Sequence, residues 1–296
     1  MPAYLIAGTA LALVTGLALA WKWQLGLTRA ALFTLAAAML TAIGLTAINL
    51  AAHFTAVTGT LAMWAATVVL ALAALLVLFF RDPEREPPAG DGLIISPADG
   101  RVVYVRPVPS RQIPTAEKHG RSCALPELSG TPIGDNAAVS VGISMNLADV
   151  HVNRAPVTGR VVLAEHVPGT FGSLRKPESL LTNERATTVI DSGDMQVAVV
   201  QIASRLVRRI VGFVAVGERV RIGQRVGLIR FGSQVDLLIP DRADIRVTVQ
   251  PGDQVTAGRT VVALATSKHD QQEPGIAAFP PGARAAYRPR GLIGGA

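Results

Sequence analysis

Arg225-Val226-Gly227-Leu228-Ile229-Arg230-Phe231-Gly232-Ser233-Gln234-Val235-Asp236-Leu237-Leu238-Ile239-Pro240 contains two short apolar runs joined through a Gly-Ser pair. Both runs are rich in Val, Leu and Ile and too short for a buried helix, so both read as strands. Glycine at such a place often marks a bulge, which is the plain reading of that pair alone. The pattern extends in both directions. Val- and Ile-rich runs recur at 139–144, 161–167, 186–190, 196–202, 209–216, 245–249 and 260–265, with turn residues between them. After Leu93 no long stretch has helical periodicity. The expected soluble part is therefore mainly β, a sandwich or barrel.

An internal repeat supports this. Gly217-Glu218-Arg219-Val220-Arg221-Ile222-Gly223 matches Gly252-Asp253-Gln254-Val255-Thr256-Ala257-Gly258, giving Gly-acid-x-Val-x-x-Gly, a turn that joins two strands. It resembles the hairpins of lipoyl and biotinyl carrier domains. Those domains present a modified lysine at a hairpin tip. Lys118, Lys176 and Lys268 lie outside the repeat, so it reads as scaffold.

The N-terminal part is of another kind. Before Arg81 only Lys22 and Arg29 carry full charge. Ala3–Ala20, Leu27–Leu50 and Leu61–Phe80 each meet the need for about 20 apolar residues to span a bilayer. The first lacks the basic start of a signal peptide, and Trp21 and Trp23 read as interface anchors. Lys22 and Arg29 against Arg81 and Arg85 put the first connection and the soluble domain in the cytoplasm, by the excess of positive charge on that side. The expected protein is a multi-pass protein of the cell membrane. Its parts are a membrane anchor over 1–80, a charged, proline-rich linker over 81–90, a domain over 91–266 and a flexible tail over 267–296.

Of 28 Lys and Arg and 21 Asp and Glu, the first ninety residues hold four and three, leaving the rest basic by six. A basic domain beside a membrane suits anionic headgroups, at about 1 kcal/mol per well-placed cation. Nucleic acid is not expected, since there is no basic run and aromatics are few. The single Cys123 excludes an internal disulfide framework. His119, His166 and His269 lack metal-ligand spacing and read as surface residues, and His53 as an interfacial one.

Two further segments complete the pattern around Gly232-Ser233: Ser96-Pro97-Ala98-Asp99-Gly100 and Asp149-Val150-His151-Val152-Asn153-Arg154-Ala155-Pro156. Together with Arg230-Phe231-Gly232-Ser233, in this order and spacing, they resemble the phosphatidylserine decarboxylase family, most closely its short form. The resemblance covers roughly residues 91–266. It implies cleavage between Gly232 and Ser233, with Ser233 becoming a pyruvoyl group. That group would be the cofactor, in place of pyridoxal phosphate and without a metal. Its ketone would accept the electrons left as carbon dioxide departs from phosphatidylserine, giving phosphatidylethanolamine.

The resemblance makes Asp99, His151 and Ser233 the catalytic set. A serine hydroxyl needs a base, and Arg154 cannot be one because it stays protonated. Arg154 stands where the long form has a second histidine. The relay is therefore not carried over intact, and either His151 serves both steps or another group assists Ser233. Arg154 is instead expected to grip the lipid phosphate or the substrate carboxylate. Asn183-Glu184-Arg185 and Gln234 carry no role that the sequence defines. Membrane lipids are the expected partners, the two fragments should stay associated, and an oligomer is left open. The alternatives are a non-enzymatic membrane-anchored β adaptor and the same chemistry on another serine lipid, such as an archaetidylserine.

Overall fold

The structure, a computed structural model, describes residues 2–23, 26–52, 55–112, 114–118, 121–168, 184–203, 210–229 and 234–266. Residues 230–233, and with them Gly232 and Ser233, lie outside the described residues, as do His53, His119, Asn183 and the tail over 267–296.

Three helices come first: α1 (Ala3–Trp23), α2 (Leu27–Ala52) and α3 (Ala56–Phe79). All three are long and apolar enough to cross a membrane. They pack on one another through small residues. A methyl group on Gly8 would lie 2.5 Å from the Met63 side chain, so the backbones approach as small-residue interfaces allow. Trp64 donates to the Thr15 hydroxyl across the bundle at 3.1 Å. Outward positions such as Ile6, Val14, Leu32, Val69 and Val77 expose apolar side chains.

The strands follow: β1 (Leu93–Ile95), β2 (Gly100–Val108), β3 (Thr115–Lys118), β4 (Arg121–Ala124), β5 (Ala138–Ser144), β6 (Val152–Arg154), β7 (Gly159–Val167) and β8 (Arg185–Asp191). After them come β9 (Gln196–Ile202), β10 (Ile210–Gly212), β11 (Arg219–Val220), β12 (Arg225–Ile229), β13 (Gln234–Pro240), β14 (Ile245–Val247), β15 (Gln254–Val255) and β16 (Val261–Ala265). A one-turn helix, Pro132–Asp135, precedes β5. The runs expected from the sequence appear, with 209–216 shortened to β10. The missed strands are β2, whose apolar pattern is broken by Arg101, Arg106 and Pro107, the three-residue β1 and β6, the β3–β4 hairpin, and the two-residue β11 and β15 inside the turn repeat.

The main sheet runs β11-β7-β8-β9-β13-β5-β2-β15, flanked by the three-stranded sheets β1-β16-β14 and β10-β12-β6. This order reads alike from both ends. One half is β1, β2, β5 and β13 to β16, and the other, inserted between β5 and β13, is β6 to β12. The likeness extends to single bonds. Val102 N donates to Asp253 O, and Val161 N donates to Glu218 O. Gly258 N reaches Ser96 O as Gly223 N reaches Ala155 O, both at 2.9 Å. Gly100 and Gly159 both start strands where a methyl group would meet a carbonyl oxygen at 2.3 Å, that of Ser144 in one half and of Asp191 in the other. The Gly-acid-x-Val-x-x-Gly repeat is thus a repeat in space.

β13 lies centrally, paired with β5 and β9 along most of its length. Its two faces feed two cores. Val235, Leu237 and Ile239 join the larger, and Leu238 joins the smaller, with Leu125, Leu128 and Ile133. Burial on both faces explains its nearly continuous apolar sequence.

Candidate active site

The duplication brings the two distant motifs together. Each half presents a short loop with Pro at its second position, and each Pro carbonyl accepts a backbone bond from the other half: Arg154 N to Pro97 O at 2.9 Å, and Ile95 N to Pro156 O at 3.0 Å. The Asn153 amide also donates to Pro97 O at 3.3 Å and accepts from Gln201 at 2.8 Å, with both side chains buried. Asp99 and His151 enter this junction from opposite halves.

His151 is fully buried. Its Nδ1 lies 2.8 Å from the Asp149 carbonyl oxygen, in its own turn. A carbonyl can only accept, so Nδ1 carries the proton and Nε2 is left as a bare lone pair. Nε2 has no hydrogen-bond partner among the described residues. Phe79, the last residue of α3, lies over the ring with centroids 4.1 Å apart. Burial pushes the imidazole down to about 4, against the opposing pull of the Asp149 carbonyl and the Asp99 charge; Arg81 adds to the lowering. At neutral pH His151 is therefore an uncharged base. Burial also raises the Asp149 carboxyl above its usual value, with the Asp99 charge adding to it, while a bond from the Asn146 amide opposes.

Asp99 is held by four contacts. Arg85 grips it with both terminal nitrogens, at 2.5 and 2.8 Å. Ala257 N donates to it at 2.8 Å and Val150 N at 3.3 Å. The His151 ring is not among its partners. The Asp149 carbonyl, not Asp99, fixes the tautomer of His151, while Asp99 ties together the loops that carry His151 and Ala257.

Arg154 is buried, with Nη1 on Gly223 O at 2.9 Å and Nη2 on Pro83 O at 2.9 Å and Asp82 at 3.2 Å. A substrate phosphate or carboxylate bound there would have to take the place of Asp82. Arg225 closes the same cluster with Asp82 at 2.5 Å and Glu84 at 2.6 Å. Residues 80–88 are thus a strap laid across the site. It begins with Arg81 on Ala148 O at 2.8 Å and ends with Pro87 so near Gly223 that a methyl group there would lie 2.5 Å from it.

The pseudo-symmetry gives this site a counterpart, again built from both halves. Ile229 N donates to His151 O, and Ala265 N donates to Gly92 O. Ala257 N bonds Asp99, and Ile222 N bonds the Thr158 hydroxyl at 2.9 Å. Gly92 and Thr158 thus stand where His151 and Asp99 stand in the site. Asn153 and Arg154 likewise correspond to the apolar Ile94 and Ile95. What the halves share is scaffold, and what differs is polar and gathered at the site. The counterpart is a cavity of about 460 Å³, lined by Gly92, Thr158, Ile222 and Ala265 among others.

Ser233 is the fourth residue after Ile229, whose amide is bonded to His151 O at 3.1 Å. The next described residue, Gln234, already pairs in β13 with Ser144 and Ile202. Its side-chain amide donates to Asp236 at 2.8 Å and to the Tyr104 hydroxyl at 3.1 Å, and the Tyr104 hydroxyl donates to Asp236. Sequence reasoning left Gln234 without a role and missed Phe79, Asp82, Arg85, Tyr104 and Asp236. Glu184 and Arg185 hold the outer strands. Glu184 accepts from Ile210 N and bonds His166 at 2.9 Å, and Arg185 forks onto Glu127. Among the described residues no three His, Cys, Asp or Glu side chains converge as for a metal ion.

Three helices long and apolar enough to cross a membrane precede a two-part β domain, and the junction of its halves holds a buried, uncharged histidine. The comparisons name the family: residues 72–263 match the model of phosphatidylserine decarboxylase. The chain is 44% identical over 201 residues to the phosphatidylserine decarboxylase proenzyme of Symbiobacterium thermophilum, covering 67% of this chain and 83% of the relative. It is 40% identical over 197 residues to that of Pelobacter propionicus, covering 65% and 79%. It is also 40% identical over 201 residues to a putative archaetidylserine decarboxylase proenzyme of Methanothermobacter thermautotrophicus, covering 66% and 83%. The chain belongs to the phosphatidylserine decarboxylase family.

Proposed function

We propose that this chain is a proenzyme that cuts itself between Gly232 and Ser233 and then removes the carboxyl group of a serine phospholipid, phosphatidylserine, at the membrane surface. The observation that carries this reading is the bare, buried Nε2 of His151, on a residue whose carbonyl accepts from Ile229 N, four positions before Ser233 in sequence.

The self-cleavage follows from ordinary acyl chemistry. Nε2 of His151 takes the hydroxyl proton of Ser233, whose oxygen attacks the Gly232 carbonyl carbon. The peptide C–N bond breaks as the ester forms. Elimination then frees Gly232 as a carboxylate and leaves dehydroalanine at position 233, which hydrolyses with loss of ammonia to a ketone. Glycine at 232 leaves the attacked carbonyl open. The pyruvoyl group so made supplies the electron sink for carbon dioxide loss. Asp99 keeps the His151 and Ala257 loops in register, and Arg154 would hold the lipid's anionic groups.

The sheet supports continued association of the fragments. The small one keeps β13, hydrogen-bonded to β5 and β9 of the large one on both sides. The cytoplasmic placement of the domain rests on Lys22, Arg29, Arg81 and Arg85. Family membership sets the adaptor reading aside. One relative is named for an archaetidylserine, and the chemistry at the serine headgroup is the same for both lipids. The test is carbon dioxide release from serine-labelled diacyl and diether lipids in vesicles. Wild type should release it, and His151→Ala should not. Release by an uncut wild-type chain would remove the mechanism.

A further inference from the structure

The strap and the end of α3 are built into the site more closely than a tether requires. Phe79 is 2% exposed although it ends an apolar helix, and it is buried against His151. Arg85 lies 14 residues before Asp99 and forks onto it, and its Nη1 also reaches Ala257 O at 2.8 Å. The counterpart junction serves as an internal comparison. There the hydroxyl of Thr158 replaces Asp99, Gly92 replaces His151, and the space above them is an open cavity. At the site itself, Arg85 and Phe79 cover the corresponding groups. The stretch shared with the family starts at residue 72 and so includes both residues.

We propose that Phe79 and Arg85 are positioning residues of the self-cleavage centre: Arg85 fixes the Asp99 carboxylate, and Phe79 keeps water from Nε2 of His151. Docking of the last membrane helix on the β domain then completes the centre, and the anchor does more than hold the enzyme at its substrate. This rests on the self-cleaving reading above. A bidentate guanidinium holds both carboxylate oxygens at once, which a single ammonium cannot do. An apolar cap disfavours the charged imidazole by denying it water. The charged groups around His151 are Asp149 in its own turn, Asp99 in the opposite loop and Arg81 in the strap. None of them is altered by a change at Phe79.

Two measurements on the full chain in detergent micelles or nanodiscs test this. The first is the rate of fragment appearance after cell-free synthesis, for wild type, Arg85→Gln and Arg85→Lys. The Gln variant should cut roughly tenfold more slowly or worse, as loss of a charge-assisted contact implies. The Lys variant should recover part of the rate at an unchanged melting temperature. The second is histidine NMR titration in the uncut Ser233→Ala background, which reads His151 without any activity. Phe79→Ala should move its midpoint upward from about 4 by at least about one unit toward 6.5. Phe79→Leu, which keeps an apolar cap, should stay near the parent value. If wild type cuts but Arg85→Gln cuts at the same rate and Phe79→Ala leaves the midpoint in place, this inference fails while the functional reading stands. If wild type never cuts, the functional reading itself fails, and the titration still decides whether Phe79 caps His151.

Discussion

Replacing His151 by glutamine in the uncut Ser233→Ala background should change how stability depends on pH. His151 falls from 6.5 to about 4 on folding because it is buried. At roughly 1.4 kcal/mol per unit this difference is worth about 3 kcal/mol. Its sign follows from proton uptake. Below 6.5 the unfolded chain binds a proton that the folded chain refuses, so the wild-type fold weakens as pH falls. The loss is complete near 4, where the folded state takes up the proton too. Above 6.5 neither state is charged and the contribution is fully present. Glutamine has no such titration. The stability of the His151 chain minus that of the His151→Gln chain should therefore drop by about 3 kcal/mol between pH 7 and pH 4. Asp149 is present in both chains, so its effect largely cancels in the difference. Denaturant unfolding of the β domain in micelles, followed by fluorescence at several pH values, measures it. A difference that stays level across this range would mean that His151 is not a dry, neutral base, and the proton-transfer step would lose its agent.

Asp99→Asn should slow cleavage by an order of magnitude or more, since an amide gives the two Arg85 donors only one good acceptor; timed gels would show it. Arg154→Ala should destabilise the domain by about 1.5–3 kcal/mol, because Asp82 and two carbonyls lose a charged donor. It should also weaken lipid binding in vesicle titrations, and a chain that melts and binds as wild type would remove both roles. Cysteine labelling after Cys123 is replaced should reach position 270 only when cells are opened, and labelling from outside intact cells would reverse the topology.

The motifs that meet at the junction were legible because the chemistry needs particular residue types at fixed spacing. Asp99, His151 and Arg154 all lie there. The β pattern was legible wherever apolar runs were unbroken, as in β5, β9 and β13. β2 was missed because Arg101, Arg106 and Pro107 interrupt its run while its backbone still pairs with β5. The strap read as a wet linker because prolines and charges usually mark one. Its partners lie as far off as Arg225, and an ion pair across 143 residues leaves no periodicity to read. The tautomer of His151 was not legible, because a backbone carbonyl sets it and carbonyls are the same in every residue. The turn repeat was visible, but the full duplication was not. Its halves agree in hydrogen bonds far more than in letters, as Asp99 and Thr158 illustrate.

Intact mass spectrometry of the purified protein under denaturing conditions tests the central claim most directly. The account predicts two chains, residues 1–232 and a fragment that begins at position 233. The smaller should be lighter by one ammonia than a simple hydrolysis product would be. Ser233→Ala should give a single full-length chain. A wild-type protein that releases carbon dioxide from the lipid while its mass is that of the uncut chain would contradict the account.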